Sequence, residues 1–354
     1  MCYDLSMTDD DRGIYKPKRK NKQLTLPGAL EKAGAAANQA AARHRFTDYK
    51  MRRADETLRR QKTDLELFGQ FLEELQVNTG NLFDTPEAWQ GVTWGLVEAF
   101  LRWQMSKGYA LSSINVRLST IKAFSRMVMQ AGFLPPEEYA LIRSIQGYTQ
   151  KEQIRIDQRR QITRIGAKKA SSVQISREQA RLLKKAHANS PQGRRDALMM
   201  CLLLDHGLRV GEVAALSGDN LDLAQGTLRF YRSKVSKVQI HRLTGDTHTT
   251  ARAYADFGDL PDSAPLLRRS KKNEKLGKAG MSERAITQRV KFLGEKIGLM
   301  GLSAHDCRHY WATAAARHGT DPFTLQEAGG WASLAMPRRY IDDNDIANAE
   351  VKLD

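Results

Sequence analysis

Residues 302–340 read LSAHDCRHYWATAAARHGTDPFTLQEAGGWASLAMPRRY, and the fold turns on this stretch. His305 and Arg308 stand at i and i+3, which on a helix puts an imidazole and a guanidinium on one face. Ala312, Ala314, Ala315 and Ala316 favour that helix, and Gly319 stops it. A second helical run from Pro322 ends at Gly329-Gly330-Trp331, and nine residues later stands Tyr340. An imidazole, a guanidinium, an indole N–H and a phenol gathered in a basic chain suit phosphate chemistry. The phenol would be the nucleophile and the others donors to the phosphate oxygens.

Each feature alone says little, because a single Tyr or His-x-x-Arg is more often an ordinary surface or core residue. Residues 202–216, LLLDHGLRVGEVAAL, complete the set: Arg209 and Glu212 are again at i and i+3, entering a helix after Gly207. The ordered series Arg-x-x-Glu, Lys, His-x-x-Arg, Gly-Trp, Tyr resembles the tyrosine recombinase (phage-type integrase) family. The resemblance is strong from about residue 176 onward and covers residues 52–147 in general pattern.

Composition agrees with a polyanionic partner. The chain has 354 residues, enough for two domains. Its 56 Lys+Arg against 40 Asp+Glu leave a formal net charge of +16, a field suited to nucleic acid. No apolar run reaches spanning length, and the most apolar segment, residues 197–204, reads as a buried element. No signal-peptide core opens the chain, so a cytoplasmic, nucleoid-associated protein is expected. Three cysteines, Cys2, Cys201 and Cys307, form no C-x-x-C pair and argue against a disulfide framework. His305 and His309 at i, i+4 lack the glutamate of a zinc H-E-x-x-H, since Asp306 follows His305. No metal and no cofactor are expected.

Four segments follow. Residues 1–45 combine Asp9-Asp10-Asp11 with Lys16, Lys18, Arg19, Lys20 and Lys22 and read as a flexible basic extension, with an Ala-rich helical patch at 35–42. Residues 46–147 show helical stripes: Leu58, Leu65, Phe68, Phe71, Leu72 and Leu75, then Trp94, Val97, Phe100, Leu101 and Trp103, then Ile114, Leu118, Ile121, Phe124, Met127 and Val128. Pro135-Pro136 ends that pattern before a short helix. Arg117, Lys122 and Arg126 on these helices are candidate phosphate contacts. Residues 148–172 are polar and basic, a linker whose Arg155, Arg159 and Arg160 would track a DNA backbone.

Residues 173–354 form the last segment. Ser176 and Gln179 make a capping box, a helix covers 192–204, and residues 221–243 read as short strands with a turn near Val235-Ser236. Residues 244–260 take no firm assignment. A helix over 282–297 leads into the His305 segment. The apolar residues Ile341, Ile346, Ala347 and Val351 after the tyrosine are suited to docking on a neighbouring protomer.

The resemblance implies a mainly α protein with a small β-hairpin: an all-helical, SAM-like core-binding domain followed by an α+β catalytic domain, the two closing as a C-shaped clamp on DNA. It implies Arg209 and Arg308 as phosphate clamps, with His305 and Trp331 as further donors. Trp331 stands where the family more often has histidine. Tyr340 is the expected nucleophile, and Glu212 and His309 are supporting groups. The family's general acid is a lysine on the hairpin turn. Lys234 is the better match and Lys237 the lesser, with Ser233 and Val235 where the family has glycine. The implied reaction passes through a 3′-phosphotyrosine and a Holliday junction in a homo-tetramer on a specific double-stranded site. Off DNA a monomer or dimer is expected, and DNA-bending proteins are candidate accessories. Integration or excision of a mobile element is the first expectation. Alternatives are resolution of chromosome or plasmid dimers, a type IB topoisomerase, or a non-catalytic DNA-binding regulator on the same fold.

Overall fold

The computed structural model describes residues 28–165, 172–185 and 189–341. The chain falls into two compact units, one through residue 168 and the other from residue 169. The basic stretch 16–22, Lys168 and Lys169 of the linker, and the tail from residue 342 lie outside the described residues.

The first unit is helical: α1 Ala29–Met51, α2 Asp55–Glu74, α3 Trp94–Ser106, α4 Leu111–Gln130, α5 Pro136–Ser144 and α6 Gln150–Asp157, with a 3-10 turn at Pro86–Trp89. Most residues of the apolar stripes expected from the sequence are buried, with Phe68, Phe100, Ile114, Ile121, Phe124 and Val128 fully enclosed, whereas Leu75 and Trp94, at the end of α2 and the start of α3, are exposed. Each such side chain taken out of water contributes roughly 1.5–3 kcal/mol before chain entropy is counted. α1 begins well before residue 46, so the expected boundary at 45/46 falls inside a helix. Its last turns belong to the core, where Phe46 meets Phe124 edge-to-face with centroids 5.7 Å apart. The linker is partly built in as well. Thr149 and Glu152 form a capping box that starts α6, and Asn115 clasps both the N–H and the carbonyl of Tyr148 at 2.8 Å.

The second unit contains α7 Arg177–Lys184, α8 Pro191–Leu204, α9 Val210–Ala214, β1 Leu221–Asp222, β2 Thr227–Arg232, β3 Lys237–Arg242, α10 Gly245–Asp256, β4 Arg268–Ser270, β5 Leu276–Gly280, α11 Glu283–Glu295, α12 Ala304–Arg317, α13 Pro322–Gly329 and α14 Ala335–Ile341. Among the described residues the protein is mainly α with two small antiparallel sheets, β1-β2-β3 and β4-β5. α8 is the axis of the core, with every residue from Gly193 to Leu204 buried. α10 occupies the segment that sequence left unassigned. Thr244 caps it by accepting from the Thr247 N–H, and its buried face is Thr247, Ala251 and Tyr254. The helical period is present there, but two of its three buried positions are a threonine and an alanine, which give little apolar signal. β4 and β5 were likewise not foreseen, since they are short and rich in Arg, Lys and Gly. Among the described residues no helix is long and apolar enough to cross a membrane. Cys201 and Cys307 are fully buried.

Candidate active site

Three elements converge on the end of α13. The first is α9, opened by Arg209, whose backbone N–H donates to Glu212 Oε2 at 2.8 Å and whose guanidinium donates to Glu212 Oε1 at 2.8 Å. The second is α12, which carries His305, Arg308 and His309. The third is the β2–β3 hairpin. Strand alternation puts Leu228, Phe230 and Arg232 on the inner face of β2, so an arginine occupies a core position and is fully buried.

At the negative end of its dipole α13 presents four consecutive carbonyls, of which that of Glu327 also accepts from the Gly330 N–H at 2.9 Å. Gln239 Nε2 donates to the carbonyl of Glu327 at 2.6 Å. Arg232 Nη2 donates to that of Ala328 at 2.6 Å. Arg308 donates to that of Gly329, and Arg209 Nη2 to that of Gly330 at 2.9 Å. Four consecutive carbonyls are therefore capped by four side chains from three elements.

The chain bends away at Gly330, whose φ of 58° is left-handed. A Cβ at Gly329 would lie 2.3 Å from the Trp331 ring. This close approach lets the indole lie beneath Arg308, whose guanidinium carbon is 4.6 Å from the Trp331 ring centroid.

Charge in the cluster is unbalanced. Glu212 accepts from Arg209 and, at 2.9 and 3.1 Å, from Arg232. Arg308 stands close enough to feel both arginines and the same carboxylate. Three guanidiniums share one carboxylate, leaving two positive charges for an incoming anion. Burial, then repulsion from Arg209 and Arg232, pushes Arg308 down to about 9, so it remains charged at neutral pH. Removing one partner from such a buried set strands a charge, at a cost of about 3–5 kcal/mol.

Tyr340, on α14, is almost wholly buried. Its ring stacks on Trp331 with centroids 5.7 Å apart and meets His309 edge-on at 5.4 Å. His305 and His309 lie 3.0 Å apart through their Nε2 atoms, one donating to the other. Burial raises the phenol's pKa against the pull of Arg308 and Arg339, so it is held protonated at neutral pH. Tyr340, His305 and His309 line a cavity of about 520 Å³ together with Arg177, Arg317 and Arg339. Glu212, Arg209, Arg308, Trp331, His305, His309 and Tyr340 are thus brought into one neighbourhood.

The lysines are separate cases. Lys234 is exposed on the 3-10 turn Ser233–Val235 between β2 and β3, which Ser236 closes in a left-handed conformation. Lys237 is bonded to Glu327 at 3.0 Å. Of the expected DNA contacts, Arg126, Arg155 and Arg159 are exposed, whereas three others are used internally. Arg117 donates to Gln104 at 3.0 Å and lies 4.3 Å over the Tyr109 ring. Lys122 donates to the carbonyl of Ile145. Arg160 donates to the carbonyl of Tyr109 at 2.8 Å and pairs with Asp157 at 3.0 Å. These polar groups hold the helices and the linker in place. Sequence reasoning missed Arg232 and Gln239, although the Leu228–Phe230–Arg232 alternation was a readable sign that an arginine faces inward.

Residues 174–346 match the phage integrase family and residues 44–132 the phage integrase N-terminal SAM-like domain. The tyrosine recombinase XerC of Herpetosiphon aurantiacus is 27% identical over 297 residues, covering 82% of this chain and 86% of that protein. The tyrosine recombinase XerD of Haemophilus ducreyi is 27% identical over 291 residues, covering 80% and 86%. Among solved structures, a lambda integrase dimer bound to a COC′ core site aligns with a TM-score of 0.59 at 14% identity, covering 95% of this chain and 85% of that one. The Tn1549 transposon integrase in complex with transposon right end DNA also gives 0.59 at 14%, covering 84% and 94%. At that identity the structural matches speak for the fold alone. The chain belongs to the phage integrase family of tyrosine recombinases. It is a site-specific DNA recombinase.

Proposed function

We propose that Tyr340 is the nucleophile of DNA cleavage and that Arg209, Arg308, His305 and Trp331 bind the scissile phosphate. The observation that carries this is the buried cluster in which three guanidiniums share one carboxylate beside the Tyr340 ring. Phosphate oxygens gain charge in the pentacoordinate transition state, and preorganised guanidiniums hold them more tightly as they do. Tyr340 Oη forms the new P–O bond as the bond to the 5′-oxygen breaks. The phenol proton passes to the His305–His309 pair, and Lys234 supplies a proton to the leaving 5′-oxygen. Glu212 orients Arg209. The 3′-phosphotyrosine conserves the bond energy, so a second 5′-hydroxyl reverses the step and exchanges strands without ATP or metal.

In this reading four protomers act at a pair of specific double-stranded sites through a Holliday junction, and the chain integrates or excises a mobile element. Dimer resolution is the second reading, favoured by the XerC and XerD relatives that align over four fifths of the chain. The decisive assay traps a covalent adduct on a nicked suicide duplex without metal. A denaturation-resistant adduct should form with wild type and vanish with Tyr340→Phe. An adduct that persists in the variant would discard Tyr340. Running the assay on element-end duplexes and on chromosome-terminus duplexes separates integrase from resolvase.

A further inference from the structure

The β2–β3 hairpin turn that carries Lys234 is exposed, and what fixes it lies just before and after. Arg232, the last residue of β2, is fully buried and spends its guanidinium on three groups: both Glu212 oxygens, the Gln239 side chain across the hairpin, and the carbonyl of Ala328. Gln239 in turn donates to the carbonyl of Glu327. The two strands are thereby fastened to the same helix end that receives Arg308 and Arg209. A guanidinium is suited to this task, since its planar fork serves several acceptors at once where an ammonium on a flexible stem cannot. The Arg232 side chain lies inside the fold rather than in the cavity beside Tyr340, so it does not touch substrate.

We infer that Arg232 is a positioning residue for DNA cleavage: it sets the register between the Lys234 turn and the phosphate site built on the end of α13. The inference rests on the reading that Tyr340 attacks and Lys234 protonates the leaving oxygen. If it is right, loss of Arg232 should mimic loss of the general acid.

The test uses the full-length protein and nicked suicide duplexes whose scissile linkage carries either a 5′-bridging oxygen or a 5′-bridging sulfur, the latter leaving without a proton. Arg232→Met should lose ~100-fold in cleavage rate on oxygen, the scale of a general-acid contribution, and less than about fivefold on sulfur. Lys234→Ala should show the same pattern, with site-specific DNA binding intact in both. Arg232→Lys should fall between wild type and Arg232→Met on oxygen. Equal loss on both substrates would mean that Arg232 acts through Arg209 or through the fold, and would overturn the inference, as would no loss at all. Should Arg232→Met fail to melt cooperatively, Gln239→Met carries the test, with ~10-fold loss on oxygen and recovery on sulfur; its failure on either count also overturns the inference. Tyr340→Phe and Lys234→Ala report on the underlying reading separately. If Lys234→Ala is not rescued by sulfur, the general-acid assignment falls, and this inference with it.

Discussion

Arg209 and Gly330, 121 residues apart in sequence, meet through a 2.9 Å hydrogen bond from guanidinium to carbonyl. That bond needs the chain to turn left-handed at Gly330, with φ at 58°. An alanine there faces roughly 1–2 kcal/mol of backbone cost, and its Cβ would sit 2.4 Å from Arg232 Cδ. Gly330→Ala should lower stability by about 2–4 kcal/mol in urea denaturation, from backbone and overpacking together. Cleavage should fall further than DNA affinity, because the arginines lose their common support. Wild-type stability and cleavage in this variant would show that the bend is not required.

Arg308 is a test of geometry rather than charge. It donates to the carbonyls of Gly207 and Gly329 and lies over Trp331, so it is held rigidly. Arg308→Lys keeps a cation but loses the fork. Single-turnover cleavage should drop about 10²–10³-fold, as for removal of one transition-state donor, while site affinity changes less than about threefold, as for one of many phosphate contacts. Equal loss of binding and cleavage would reassign Arg308 to ground-state DNA binding.

Lys234 and Lys237 should separate cleanly. Lys237 is paired with Glu327 on an exposed surface, an interaction worth at most about 1 kcal/mol. Lys237→Ala should leave both cleavage and melting nearly unchanged. Lys234→Ala should slow cleavage by about 10²-fold or more. A reversed ranking in quenched-flow cleavage would move the general acid to Lys237.

The helices were legible because their apolar stripes are regular, as in Leu65, Phe68, Phe71 and Leu72 of α2, all of which are buried. Arg209, His305, Arg308, Trp331 and Tyr340 were legible as an ordered set. What stayed hidden was connection. No local pattern tells that Arg232 shares Glu212 with Arg209, or that Arg117 and Arg160 turn inward, because these bonds join strands and helices far apart in sequence. α10 was hidden for another reason: two of its three buried residues are Thr247 and Ala251, which carry little hydrophobic signal.

Trp331 combines an observed role with a proposed one. Its ring stacks on Tyr340 and supports Arg308, and its indole N–H is a proposed phosphate donor. Trp331→Phe keeps an aromatic surface and removes the donor, whereas Trp331→Ala removes both. If both functions count, Phe should cost cleavage about tenfold, near 1.4 kcal/mol for one hydrogen bond. Alanine should cost markedly more, with added loss of melting temperature. Wild-type cleavage in Trp331→Phe would leave Trp331 a packing residue only.

Stability should fall in mild acid through His206. This imidazole is buried and shares a hydrogen bond with Thr247 at 3.1 Å, and burial pushes it down to about 4 from an ordinary 6.5. Below pH 6.5 the unfolded chain takes up a proton that the folded chain refuses, so the balance shifts toward unfolding as pH drops. The contribution is fully present above 6.5, declines between 6.5 and 4, and is exhausted below 4. Linkage over that window amounts to about 3 kcal/mol. His241, also held down to about 4 chiefly by burial, works in the same direction. Urea denaturation at a series of pH values should therefore show stability rising from pH 4 to 6.5. In His206→Asn that rise should shrink by roughly half, because one of the two imidazoles is gone. A slope identical to wild type would remove His206 from the acid response and leave it to His241 and the carboxylates.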